Sequence, residues 1–139
     1  MIITNEDELR VHCEPVQLEE VNDLRSQLEN ELRESSVPGI GLAAPQIGIA
    51  KTMAIVRVGD LKIDLINCNL TNLRELFIFD SEGCLSFPDM YVSSKRYRQV
   101  TVENNLVEPF KFIVTGLAAV VVQHEMDHWH SKLLPDFSV

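Results

Sequence analysis

The stretch that most restricts how this chain can fold is the apolar run Leu117 to Val122, which leads through Gln123 into His124-Glu125-Met126-Asp127-His128. Leu117, Val120, Val121, His124 and His128 share one stripe of a helix, and Thr115 just ahead of it fits an N-cap. A fold that accepts this helix must cover the apolar stripe and find partners for two imidazoles at its end, because a buried polar group left alone is costly. Histidines at i and i+4 can aim both rings at one metal ion, and Glu125 beside them can reach a metal-bound water without being a ligand. The plainer reading makes His124 and His128 the polar end of a half-buried helix, with Glu125 and Asp127 in water.

A helix pair supplies two ligands, whereas a catalytic site usually takes three from the protein and keeps one position open. After His128 only His130 and Asp136 could coordinate, and His130 points away from His128 on a helix, as a surface residue would. Cys84, within Glu82-Gly83-Cys84-Leu85-Ser86, is the better third ligand: Gly83 lets the backbone approach closely, and a thiolate lowers the net charge of the cation. Its alternative is a buried inert thiol, the reading kept for Cys13 and Cys68. Three cysteines without disulfide spacing point to a reducing compartment.

The segment Gly39-Ile40-Gly41-Leu42-Ala43-Ala44-Pro45-Gln46 resembles a phosphate loop only at a glance, since no Lys-Ser/Thr ending follows. Its glycines, small alanines and neutral amide suit a main chain running beside an extended, uncharged, peptide-like ligand. Charge agrees: 12 Lys+Arg against 21 Asp+Glu give a net −9, which sets the chain against nucleic acid, polybasic membrane binding and strongly anionic ligands. No apolar run is long enough to cross a bilayer and the acidic start lacks a signal peptide's pattern, so the expected location is cytoplasmic.

Residues 1–139 read as one domain. Val21, Leu24, Leu28 and Leu32 predict an amphipathic helix over 18–33, ended by the break at 35–39. An irregular glycine-bearing segment then precedes strands at 53–58, 61–66, 76–79, 97–103 and 110–114, and the final helix covers 117–130. This order predicts an α+β fold in which antiparallel or mixed β-sheets pack around a central metal-binding HExxH helix, with one N-terminal amphipathic helix.

Taken in order, GIGLAAPQ, EGCLS and QHEMDH resemble the three motifs of the peptide deformylases, and the flanking LRVHCEPV, FPDMY and RYRQVTV segments resemble that family too. The resemblance implies removal of the N-formyl group from the initiator methionine of nascent chains, with release of formate. It implies one divalent metal ion, Fe(II) in the cell and Zn, Ni or Co in preparations, held by Cys84, His124 and His128. Glu125 would move the proton between water and the departing amine, while the Gln46 amide and Leu85 N–H would hold the oxyanion. Ile40, Leu117, Val120 and Val121 match the positions lining the methionine pocket, and backbone groups near Ile40, Gly41 and Gly83 would pair with the peptide. Glu82 and Arg96 match charged family positions and are expected to pair, bracing the Cys84 loop.

Two departures from the family bear on partners. Ser131 stands where many members have glycine, and the sequence ends at Val139 without the long C-terminal helix, so ribosome proximity would lack that docking element. Such compactness resembles virus-encoded deformylases of bacterial hosts, which would place the protein in an infected bacterial cytoplasm. A monomer without nucleic-acid or membrane partners is expected. The rival enzyme is a zincin-like metallopeptidase, with a third His or Glu ligand and no part for Cys84; the rival without catalysis is a silent deformylase-like binding module.

Overall fold

Met53–Val58 (β2) and Leu61–Ile66 (β3) are joined through Gly59, whose φ of 57° is a left-handed value that glycine adopts without strain. Gly41–Ala43 (β1) adds to the other side of β2, giving an antiparallel sheet in the order β1-β2-β3. The structure, a computed structural model, describes residues 1–35 and 38–137. Positions 36 and 37 of the expected break at 35–39, and positions 138 and 139 of the expected domain, lie outside these. A second antiparallel sheet has the order β4-β5-β6, from Asn69–Cys84 (β4), Phe87–Glu103 (β5) and Lys111–Thr115 (β6).

The strands expected at 76–79 and 97–103 are the middle and end of much longer ones, because β4 and β5 continue through polar residues and positive-φ kinks at Asn72, Glu75 and Ser81. The segment expected to be irregular contains β1 and a 3-10 turn over Ala44–Ile47. Among the described strands every pairing is antiparallel; the mixed alternative survives only as an isolated parallel bridge between Glu14 and Lys51.

Among the described residues, three α-helices complete the fold: a short Glu6–Leu9 (α1), Val21–Glu34 (α2) and Gly116–Trp129 (α3). The 18–33 expectation divides in two: Leu18–Glu20 forms a 3-10 turn with Leu18 exposed, and α2 begins at Val21. Val21, Leu24 and Leu28 of α2 are buried against Leu42, Met53, Ile55 and Ile66 of the first sheet, each worth about 1.5–3 kcal/mol in removed apolar surface. The sheet's other face, through Ala54, Val56 and Leu65, packs on α3, whose Ala118, Ala119, Val122, Met126 and Trp129 also meet Val100, Val102 and Val114 of the second sheet.

α3 is therefore buried on nearly every side from Ala118 to Met126 instead of along one stripe, while Leu117 at its start is half-exposed. Thr115 occupies the N-cap position without a side-chain capping bond. Cys13 and Cys68 are buried free thiols, and His130 is exposed, as expected. Among the described residues, no helix is long and apolar enough to cross a membrane.

Candidate active site

The β4–β5 hairpin and the last turns of α3 bring three soft donors together. β4 ends at Cys84, Leu85 and Ser86 make the turn, and Cys84 pairs with Phe87 at the start of β5. Opposite this hairpin, the ligand atoms of Cys84, His124 and His128 all lie within 4.8 Å of one another. Cys84 Sγ stands 3.6 Å from His128 Nε2. A tetrahedral ion with metal–sulfur and metal–nitrogen bonds of about 2.3 and 2.05 Å would hold those atoms about 3.6 Å apart. A thiol and two imidazoles suit zinc, iron, nickel or cobalt, so both spacing and chemistry fit one divalent ion.

Behind the donors stands a charged network that orients them. His124 Nδ1 donates to Glu82 Oε2 at 2.7 Å, which leaves Nε2 for a ligand. Glu82 also accepts from Ser94 Oγ at 2.6 Å and from Arg96 Nε at 2.8 Å, and Arg96 Nη1 donates to Asp127 at 2.7 Å. The Glu82–Arg96 pair expected from sequence is present, with both residues 4% exposed. The Phe137 ring covers the Arg96 guanidinium at 4.8 Å.

Burial alone would raise the Glu82 pKa, but hydrogen bonds from His124 and Arg96 outweigh it and bring the carboxyl down to about 2. Burial likewise opposes charge on His124, yet its contacts with Cys84 and Glu82 hold its pKa well above the usual value. His128 moves the other way, lowered by burial and by the positive charges of His124 and Arg96.

Glu125 lies beside the donors with 4% exposure, and its Oε1 has no hydrogen-bond partner among the described residues. Burial, the largest influence on it, pushes its pKa up to about 7, the range of a proton acceptor that can also give the proton back. Gly41 makes room for it: a Cβ there would sit 2.5 Å from Glu125 Oε2 and 2.8 Å from Val121 Cγ1. Gln46 is fully buried, its Oε1 accepting from Ala43 N–H at 2.9 Å. That bond sends the amide nitrogen toward Ser86 Oγ at 3.0 Å and Cys84 Sγ at 3.5 Å.

A cavity of about 340 Å³ opens onto this cluster, and Ile40, Gly41, Gln46, Gly83, Cys84, Leu85, Leu117, Val120, Val121, His124 and Glu125 all line it. His128 is buried behind this lining, 1% exposed. The Ile40 carbonyl accepts from Arg57 N–H at 2.7 Å, so Ile40 offers its side chain to the cavity, and alternation along β1 leaves the Gly41 backbone groups on the open edge. Gly83 also lines the cavity, with the Tyr91 ring 3.0 Å from where a Cβ would stand.

Sequence reasoning missed Ser86, Ser94 and Asp127 as partners in the network, and Phe79 and Met90 in the cavity wall. Ser94 and Arg96 alternate on one strand face, a signal hidden by starting that strand at Tyr97.

A family model described as polypeptide deformylase matches residues 1–137. The chain belongs to the peptide deformylase family. It is 41% identical to peptide deformylase 1 of Bacillus anthracis over 99 residues, covering 68% of the chain and 63% of that protein. The alignment thus spans just under two thirds of the relative's length. With the peptide deformylase of Pseudomonas aeruginosa, identity is 34% over 136 residues, covering 93% of the chain and 80% of that protein. Among solved structures, the deformylase of Thermotoga maritima is similar with a TM-score of 0.88 and 30% identity, covering 100% of this chain and 97% of that one.

Proposed function

We propose that the protein removes the N-formyl group from the N-terminal methionine of new polypeptides, releasing formate. The observation that carries this reading is the gathering of Cys84, His124 and His128 within 4.8 Å, beside Glu125, whose Oε1 has no hydrogen-bond partner among the described residues, and at the end of an apolar cavity. Cys84 in that cluster is what a zincin-type peptidase would not need. Cys84, His124 and His128 would hold a divalent ion, Fe(II) in the cell, which supplies Lewis acidity and acidified water at neutral pH.

The chain's own residues do the rest. The methionine side chain enters the cavity between Ile40 and the Leu117, Val120 and Val121 face of α3, and the Gly41 backbone pairs with the peptide in a strand-like pose. Glu125 takes the proton from the attacking water and returns it to the leaving amine, as a carboxyl with a pKa near 7 can do in both directions. Gln46 Nε2, fixed by the Ala43 bond, and the Leu85 N–H stabilise the developing oxyanion. Residues 1–139 act as a single catalytic domain.

The test is formate release from formyl-Met-Ala-Ser by anaerobically purified, iron-loaded protein, with metal content measured alongside. Turnover by the intact protein and its loss in Glu125→Ala, with metal retained, is the expected result. No formate from the iron-loaded protein would defeat the proposal.

A further inference from the structure

Arg96 joins the two elements that carry the proposed metal donors. Its Nε and Nη2 donate to Glu82 on β4, and its Nη1 donates to Asp127 on α3, next in sequence to His128. The edges of the guanidinium are thereby committed to carboxylates, and its faces are what water could still approach. Phe137 lies over one face, its ring centroid 4.8 Å from the guanidinium carbon. A guanidinium packed on an aromatic ring keeps its plane, and its carboxylate partners sit in a drier setting where each hydrogen bond is stronger than in water. Phe137 is brought there by a turn that the N-terminal segment fastens. After α3 the chain reverses at Ser131, whose φ is 58°, and Leu133 and Leu134 are buried. Leu134–Asp136 then makes a 3-10 turn, with Asp136 Oδ2 accepting from the Leu133 N–H at 3.0 Å and the Phe137 N–H donating to the Leu134 carbonyl at 3.1 Å. Arg10, the residue that closes α1, grips this return at two points. Its Nη1 and Nη2 donate to the two carboxylate oxygens of Asp136 at 2.9 and 2.8 Å, and Nη1 also donates to the Ser131 carbonyl at 2.8 Å. The Ser131 hydroxyl donates to the Val11 carbonyl at 3.2 Å. Two planar groups meeting fork to fork fix orientation as well as distance, so the turn presents Phe137 to Arg96 in one pose.

We infer that Arg10, Asp136 and Phe137 form a latch that positions the metal centre through Arg96. Arg10 holds the turn through Asp136, Phe137 keeps water from the Arg96–Glu82 pair, and that pair fixes the His124 ring through the Nδ1 bond to Glu82. All three are positioning residues, and none of them lines the catalytic cavity. The inference rests on the reading of Cys84, His124 and His128 as metal ligands and is indifferent to the substrate. An order of influence follows from the contacts: Phe137 touches Arg96 directly, whereas Arg10 acts only by holding the turn, so loss of the ring should matter more than loss of the fork. The alternative role for the same contacts is to fasten the chain after α3 to the N-terminal segment, which would raise stability and leave the metal donors as they are.

The experiment measures zinc affinity by competition with a chromophoric chelator and, by NMR of the zinc-loaded protein, the exchange with water of the Arg96 Nε–H and the His124 Nδ1–H, below the melting range of every variant. Phe137→Ala is expected to weaken zinc binding about 5-fold, less than loss of a partner that touches a ligand, and to speed both exchanges about 10-fold. Phe137→Tyr, which keeps the ring, should restore both. Arg10→Gln should act in the same direction by about 2-fold and add nothing to Phe137→Ala. In the Glu82→Gln background the pair to be shielded is gone, so Phe137→Ala should still lower Tm but no longer weaken zinc binding. Unchanged zinc affinity and exchange in Phe137→Ala, whatever its Tm, or a loss of affinity that persists in full beside Glu82→Gln, overturns the inference. A parent protein that takes up no zinc strikes the metal reading itself; exchange in Phe137→Ala then decides the latch alone, faster exchange supporting it and unchanged exchange overturning it.

Discussion

Replacing Glu82 by Gln removes one charge from a site where the carboxylate accepts from four donors: Ser94 Oγ, Arg96 Nε, Arg96 Nη2 and His124 Nδ1. A carboxamide keeps one oxygen and presents a nitrogen that meets other donors, so at least one of those bonds becomes a donor facing a donor. Breaking a buried ion pair costs about 3–5 kcal/mol, and Arg96 keeps Asp127 as a partner, which places the loss near the lower end. Unfolding entropy of about 2.1 cal/mol/K per residue, over 139 residues, is about 0.29 kcal/mol/K. A loss of about 3 kcal/mol then lowers Tm by about 10 °C. Because His124 loses the acceptor that fixes its ring, affinity for Zn or Co(II) should fall 10–100-fold. Calorimetry after chelation and competition with a chromophoric chelator measure the two effects separately. Coupling is tested by Glu82→Gln with Arg96→Met, which should lose less than the sum of the single changes. A Tm within 2 °C of the parent, together with unchanged metal affinity, would refute the view that Glu82 braces the centre.

Gly41→Ala should displace Glu125, whose Oε2 lies 2.5 Å from the new methyl position. Misplacement of a catalytic group by about 1 Å costs about 10²-fold in rate, so formate release should fall by that order with metal content unchanged. Chelation should lower Tm relative to protein with zinc at about 100 times its Kd; the linkage of about 2.7 kcal/mol corresponds to about 9 °C, and Cys84→Ala should remove most of that difference in scanning calorimetry. Asp136 is held down to about 2 by hydrogen bonds from Arg10 and from the Leu133 N–H. Its contribution is therefore complete above the ordinary value of 3.8 and lost as pH falls through 2. The Tm deficit of Asp136→Asn, small because the pair is exposed, should be present at pH 6 and absent near pH 2 in parallel melts.

What the sequence makes legible about this site is what a single element carries. His124, Glu125 and His128 sit on one helix, so their spacing is enough to place them, and the apolar run before them announces a covered helix. Cys84 comes from a hairpin 40 residues earlier, and its pairing with the histidines depends on the length and kinks of β4 and β5. Those strands are the part read too short: hydrophobic alternation fades where Asn72, Glu75 and Ser81 adopt positive φ and where half of each strand faces water. Losing the start of β5 hid Ser94, and with it the alternation that puts Ser94 and Arg96 on the face turned toward Glu82. Helical periodicity thus finds the residues proposed to act on the formyl group. The residues that steady them depend on long-range strand pairing that no local pattern records.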